Sequence, residues 1–173
     1  MEIKSTKFKD LKIIFSPVHQ DQRGTFREIF KKKFFKSKKF VFTCVSTSKK
    51  NVLRGMHLQT QHAQGKYLTV LKGEILDVCI DLRKRSRTFG KYFKINISDR
   101  NGISIYIPPG FAHGFLGLKS DNIISYHCTN YRSEKNEIGI IWNDKNLKIK
   151  WPIKRPILSK KDKKNISFKD YIK

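Results

Sequence analysis

The chain has 173 residues and a formal charge of +24, from 38 Lys and Arg against 14 Asp and Glu. At this length one domain over 1–173 is expected, able to bury roughly 70% of its unfolded surface without staples. Three widely spaced cysteines, Cys44, Cys79 and Cys128, with no Cys-x-x-Cys pair, support neither a disulfide framework nor a zinc knuckle and suit a reducing compartment.

Met1–Lys7 has no apolar signal core, and no apolar run approaches a membrane span, so a cytoplasmic soluble protein is expected. The charge invites a nucleic-acid reading. The lysines are spread along the whole chain, however, beside a general richness in Ile and Asn. The preferred reading is a solvated basic surface that draws in anionic substrates, with nucleic acid not expected as the partner.

In chain order, Leu11–Phe15 reads as a strand. Asp21–Glu28 turns at Arg23-Gly24 and continues as a short extended piece. Across 29–40, Phe30, Phe34 and Phe35 suit one face of a helix, with Lys31, Lys32, Lys33 and Lys36 outside. Phe40–Ser46, β-branched and aromatic, is a strand, and Ser46–Asn51 a loop. Arg54–Lys66 then gathers two His, one Arg, one Lys and three Gln. That is a poor core and a good polar site at the edge of a β-framework.

Tyr67–Leu71 follows as a strand, with a hairpin turn expected at Lys72-Gly73. In the next strand Leu76, Val78, Ile80 and Leu82 fall on one face and Ile75, Asp77, Cys79 and Asp81 on the other, a half-buried pattern. Tyr92–Ile97, Ile103–Ile107, Asn122–Cys128 and Ile138–Trp142 repeat the theme. Many short strands at this spacing mean an all-β sandwich or barrel. The lysine-rich tail after Trp151-Pro152 has room for a last short helix.

Gly102-x5-Pro108-x-Gly110-x-x-His113 has the spacing of the second cupin motif, in which a Pro-Gly corner turns a His toward a barrel mouth. The first cupin motif is broken: Gln59 replaces a His two residues after His57, and Gln64 stands where a Glu is expected. Neutral amides are poor partners for a divalent ion, so no metal is expected and His57 is left as a general base. Tyr126 alone reads as a core tyrosine, and Asp162 alone as a cap or surface acid.

Together the motifs are more specific. Arg54-Gly-Met-His57-x-Gln59, Ala63-Gln-Gly-Lys66, Gly73-Glu-x-x-Asp77-Val, Asp81-Leu-Arg83, Thr88-Phe-Gly90, Ile107-Pro-x-Gly-Phe-Ala-His113-Gly-Phe, Thr129-Asn-Tyr131, Trp142-Asn-Asp144 and Trp151-Pro152 closely resemble the dTDP-4-dehydrorhamnose 3,5-epimerase family, in order from about Asp21 to Asp162. The resemblance implies a cupin-type jelly-roll barrel with short peripheral helices, a homodimer with exchanged strands, no metal or organic cofactor, and a nucleotide-diphosphate sugar as substrate. It implies His57 as the base that removes a proton beside the C4 ketone, and Asp162 as its orienting partner. Lys66 would hold the enolate oxygen and Tyr126 would return a proton on the opposite face. Arg54 and His113 would hold the diphosphate, with Gln59 and Tyr131 also at the substrate. Arg23 and Glu28 would reach the nucleotide in a partner subunit's site.

The chain departs from the family's habit in four places. Phe42 and Cys44 occupy a common Gln-x-Asn, His19 an aromatic position and Arg132 a second tyrosine, and the loop from Gln59 to Lys66 is one residue short. Alternatives to a 3,5-epimerase are a single-site C3 or C5 epimerase, a sugar 3,4-ketoisomerase, and a non-catalytic sugar- or nucleic-acid-binding cupin.

Overall fold

The structure, a computed structural model, describes residues 1–173. Its strands are β1 (Glu2–Ser5), β2 (Lys12–Phe15), β3 (His19–Asp21), β4 (Gly24–Phe26), β5 (Phe42–Lys49), β6 (Leu53–Gln59), β7 (Lys66–Lys72), β8 (Glu74–Asp81), β9 (Tyr92–Ser98), β10 (Ile103–Ile107), β11 (Phe111–Gly117), β12 (Asp121–Cys128) and β13 (Glu137–Gly139). A six-stranded sheet, β1-β2-β10-β7-β12-β5, faces a five-stranded sheet, β13-β6-β11-β8-β9. All pairings within them are antiparallel. From β5 to β12 only β8 and β9 are consecutive strands that pair; every other connection changes sheet. This is the expected cupin-type jelly roll.

Gly73 is where the expected hairpin fails. β7 and β8 lie in different sheets, and Gly73, with φ +84°, carries the chain across. A Cβ there would sit 2.2 Å from the Asp121 carbonyl oxygen. The β8 pattern also means more than half-burial. Ile75 and Cys79 join the core between the sheets with Leu68, Ile105 and Phe115. Leu76, Val78, Ile80 and Leu82 join a second core outside the five-stranded sheet, under the C-terminal tail. Both faces of β8 are therefore covered.

The helix expected over 29–40 is a single 3-10 turn, Lys32–Phe35. Phe30, Phe35 and Phe40 are used instead of a helical stripe. Phe30 stacks on Phe35 at 5.6 Å between ring centroids, and both meet Tyr67 on the outer face of the six-stranded sheet. Packing on Tyr67 overrides the local period. The tail does end in a short helix, Phe168–Tyr171, capped by Ser167. The β3–β4 ribbon is exposed throughout. Just after it, the half-buried Arg27 donates to the Val70 carbonyl at 2.7 Å and to Ser98 O at 3.3 Å, which ties the ribbon's base to the body.

Candidate active site

The polar stretch Arg54–Lys66 is a strand followed by a loop. β6 lies between β13 and β11 in the five-stranded sheet, and it packs Leu53, Met56 and Leu58 toward the tail. That leaves His57 to face the space between the sheets. His57 pairs in register with His113 on β11, just before the ladder shifts. The shift rests on two glycines in contact. A Cβ on Gly55 (φ +118°) would meet Gly114 Cα at 2.6 Å, and one on Gly114 would meet the Arg54 carbonyl at 2.5 Å. Only bare backbone lets β6 and β11 approach so closely and present both imidazoles side by side.

Between the sheets opens a cavity of ≈ 660 Å³ lined by His57, Lys66, Tyr126, Asp162, Arg54 and His113, among others. His57 and His113 come from the five-stranded sheet, Lys66 and Tyr126 from β7 and β12 of the other, and Asp162 from a 3-10 turn in the tail. His57 Nε2 lies 2.5 Å from Asp162 Oδ1. Ser159 Oγ donates to Asp162 Oδ2 at 2.9 Å and accepts from the Asp162 amide at 3.0 Å. Burial pushes the Asp162 carboxyl up, but the His57 ring and the Ser159 hydroxyl outweigh it and hold the group below the usual carboxylate range.

The turn carrying Asp162 is clipped at both ends. Ile157 N donates to Asn51 O at 2.8 Å, and Leu53 N to Ile157 O at 3.0 Å. Ile141 N donates to Ile166 O at 2.9 Å, and Ile166 N to Gly139 O at 3.0 Å. The carboxylate therefore arrives at His57 on a held segment, 105 residues away in sequence.

His113 Nε2 lies 2.7 Å from Asp77 Oδ2, and Asp77 is fully buried. The other Asp77 oxygen accepts a weak bond from Cys79 Sγ at 3.4 Å. Tyr126 shares a hydrogen bond with Ser46 Oγ at 3.2 Å. Burial drives its phenol far up, against the partial offset of Ser46, so it stays protonated at neutral pH. Arg54 donates to Ser48 Oγ and Thr47 O, both at 2.9 Å, which aims the guanidinium while leaving donors free. No group of three His, Cys, Asp or Glu side chains is placed to hold one metal ion.

A base with a buried carboxylate partner, an ammonium and a phenol around one cavity is a set for moving protons at a carbon beside a carbonyl. The family model for dTDP-4-dehydrorhamnose 3,5-epimerase matches residues 5–170. The chain belongs to that family. It is 40% identical to the dTDP-4-dehydrorhamnose 3,5-epimerase of Shigella flexneri over 176 residues, 98% of this chain and 97% of the relative. The solved dTDP-6-deoxy-D-glucose-3,5-epimerase of Legionella pneumophila Philadelphia 1, in complex with dTDP-4-keto-L-rhamnose, is 38% identical and superposes with a TM-score of 0.90, over 96% of this chain and 92% of that one. A 3'-monoepimerase from Streptomyces bikiniensis, solved with dTDP-quinovose, is 26% identical at TM-score 0.87, over 94% and 85%.

In this epimerase-family chain the other expected residues fall in different places. Gln59 lines the cavity, but its amide is spent on backbone. Nε2 donates to His62 O at 2.7 Å and Tyr131 O at 3.2 Å, and Oε1 accepts from Ser133 N at 2.9 Å. Tyr131 is 70% exposed and stacks on Phe42 at 5.8 Å. Arg23 and Glu28 do not reach the cavity of their own chain. Arg23 pairs with Asp21 at 2.6 Å on the exposed ribbon, and Glu28 pairs with Lys31.

One group was not singled out from the sequence. Glu137, 11% exposed, accepts from Lys161 at 2.7 Å and Arg132 at 3.1 Å on the cavity wall. Burial raises its carboxyl, and the Lys161 and Arg132 bonds bring it below its ordinary value. Arg132 and Glu137 lie five residues apart in one segment and Lys161 in another, and no motif joins the two. The nearest signal is that Lys161 adjoins Asp162.

Proposed function

We propose that the chain epimerises C3 and C5 of a dTDP-linked 4-keto-6-deoxy sugar, in the synthesis of surface-polysaccharide precursors. The observation that carries this is the His57–Asp162 pair facing the same cavity as Lys66 and Tyr126. His57 removes the proton from the carbon beside the C4 ketone. Asp162 orients the ring and offsets the charge it gains. The carbanion is an enolate, and the Lys66 ammonium at its oxygen stabilises the transition state more than the ground state. Tyr126, protonated in its buried setting, returns a proton from the other face and so inverts the carbon. Arg54 and His113 hold the diphosphate, for which the basic cavity is suited.

The same reading makes the molecule a homodimer. The exposed β3–β4 ribbon carries Arg23, with Glu28 just beyond it, and Phe26 there is 68% exposed. A ribbon that buries nothing in its own chain is suited to another copy, where Arg23 and Glu28 meet the nucleotide. The test of the chemistry is incubation with dTDP-4-keto-6-deoxyglucose in deuterated water, followed by NMR. Deuterium at both C3 and C5 is expected. Its absence from both carbons overturns the reading, and its presence at one alone reduces the activity to a single-site epimerase.

A further inference from the structure

Inverting two carbons of one sugar uses the acid twice. In the proposed chemistry each inversion puts one proton on His57 and takes one from Tyr126. The phenol must therefore regain a proton before the second carbon is inverted. Burial drives the Tyr126 phenol far up, so a tyrosinate there draws a proton back strongly. The structure narrows where that proton comes from. The Tyr126 hydroxyl makes one hydrogen bond, to Ser46 Oγ at 3.2 Å, and either oxygen can be the donor. Ser46 Oγ has no other partner in the chain, so it has capacity left for a water.

The other groups around the phenol do not bond to it. Tyr126 pairs in register with Cys44 on β5, and Cys128 with Phe42. All line the cavity with Ser46, but Phe42 is a hydrocarbon ring and neither thiol is hydrogen-bonded to the phenol. Arg54 is fixed on Ser48 Oγ and Thr47 O. Ser46, by contrast, is placed to meet solvent. β5 is the edge strand of the six-stranded sheet, and Ser46 is half-buried between exposed Val45 and Thr47. A hydroxyl both accepts and donates, so it passes a proton on without a lasting change of charge.

We propose that Ser46 is the positioning residue of Tyr126 and its proton relay, recharging the phenol between the two inversions while the sugar stays bound. This rests on the epimerase reading above. Tyr126 Oη gives its proton to the carbanion. The Ser46 Oγ–H bond then breaks as a new Oη–H bond forms, and a solvent water gives a proton to Ser46 Oγ. The hydroxide left in solvent is neutralised by the proton that His57 removed and releases. Each inversion thus returns serine, tyrosine and histidine to their starting forms. Without the relay the sugar leaves after one inversion, and the phenol is recharged in the open site.

The experiment compares Ser46→Val with Ser46→Thr in the full chain, each checked for an unchanged melting temperature. Valine and threonine are close in shape and both suit a strand, but only threonine keeps the hydroxyl. Should Ser46→Val melt early, Ser46→Ala replaces it under the same criterion. Excess dTDP-4-keto-6-deoxyglucose is incubated in deuterated water, and the first products are read by NMR as singly or doubly inverted. In Ser46→Val the ratio of singly to doubly inverted product should rise about tenfold or more, toward the 10²-fold of a placed proton donor, with a smaller rise in Ser46→Thr. A rise below about tenfold in Ser46→Val, or an equal rise in both variants, overturns the relay and leaves the epimerase reading standing. A merely structural serine would slow both inversions alike and leave the ratio unmoved. If the parent inverts one carbon only, the second inversion and the relay fall together. No wash-in at all removes the epimerase reading itself.

Discussion

Replacing Asp162 by Asn tests the link between tail and base. The substitution keeps the volume of the side chain and removes its charge. At 2.5 Å from His57 Nε2, with only 5% of its side chain exposed, Asp162 makes a charge-assisted bond worth about 1.5–3 kcal/mol. That energy is felt mainly when the ring takes a proton, in the transition state. At 1.36 kcal/mol per tenfold, it sets a loss of roughly 10- to 150-fold in kcat. The amide also no longer selects which ring nitrogen carries the proton, so the loss should lie at the upper end, about 10²-fold, with KM changed by less than about threefold. Initial-rate NMR of deuterium wash-in gives both constants. A stable Asp162→Asn protein with kcat within threefold of the parent would refute the account.

The same pair sets a pH dependence of stability. The Asp162 carboxyl is held below its ordinary value in the folded chain. Its contribution is therefore present above the unfolded carboxylate value of about 4 and lost as pH falls through the depressed one. The stability gap between parent and variant should close below about pH 4, and a gap that stays constant from pH 7 to pH 3 would speak against it.

Tyr126→Phe should keep proton removal within about tenfold while slowing appearance of inverted product by about 10²-fold or more, read by comparing wash-in with product NMR; equal losses in the two would remove the tyrosine from the second step. Lys66→Met should lower kcat by about 10²–10³-fold, the size of losing one donor to a developing oxyanion; near-parent turnover would take the ammonium away from the ketone. Asp81→Asn should destabilise the fold at pH 7 by about 2 kcal/mol in urea melts. Burial pushes the Asp81 carboxyl up, but bonds from Arg83, Ser86 and Thr88 outweigh it and lower it to about 2. That contribution is held above the unfolded value and should fade as pH drops from about 4 toward 2; an equal cost at pH 2.5 would contradict the assignment.

How the residues come together explains what was readable beforehand. The strands were legible where alternation is local, as at Ile103–Ile107 and Asn122–Cys128, within one residue of β10 and β12. Which sheet each strand joins was not. Lys72-Gly73 has the composition of a hairpin turn, and nothing local says that β7 will pair with β10 and β12 while β8 pairs with β9 and β11. The 29–40 segment failed for a related reason. Its apolar residues satisfy a helical period, but the fold offers Tyr67 and a flat sheet face to cover, and Phe30, Phe35 and Phe40 do that from an irregular path broken by one 3-10 turn. Ser46–Asn51 read as a loop because β5 is an edge strand, and its polar residues leave the outward side to solvent.

The site shows the same division. His57, Lys66, Tyr126 and Asp162 were legible as a set of motifs, each unremarkable alone. Their convergence depends on two devices that no motif encodes. One is the Gly55–Gly114 contact, which lets β6 and β11 close and puts His57 beside His113. The other is the pair of backbone clips at Ile157 and Ile166, which hold the Asp162 turn against β6. Both act on geometry rather than on chemistry, and so they can be separated by experiment. Gly114→Ala would push a methyl toward the Arg54 carbonyl and Met56 Sδ, at 2.5 and 2.6 Å, and must spread the strands that carry both imidazoles. Ser159→Ala removes only the two hydrogen bonds that seat Asp162, worth about 1 kcal/mol each. If the cavity works as argued, the glycine variant loses stability and turnover together and by large amounts, whereas the serine variant loses about five- to tenfold in kcat while its melting temperature falls by only about 4–8 °C. The opposite pattern would mean that the sheet register is incidental and that the tail alone builds the site.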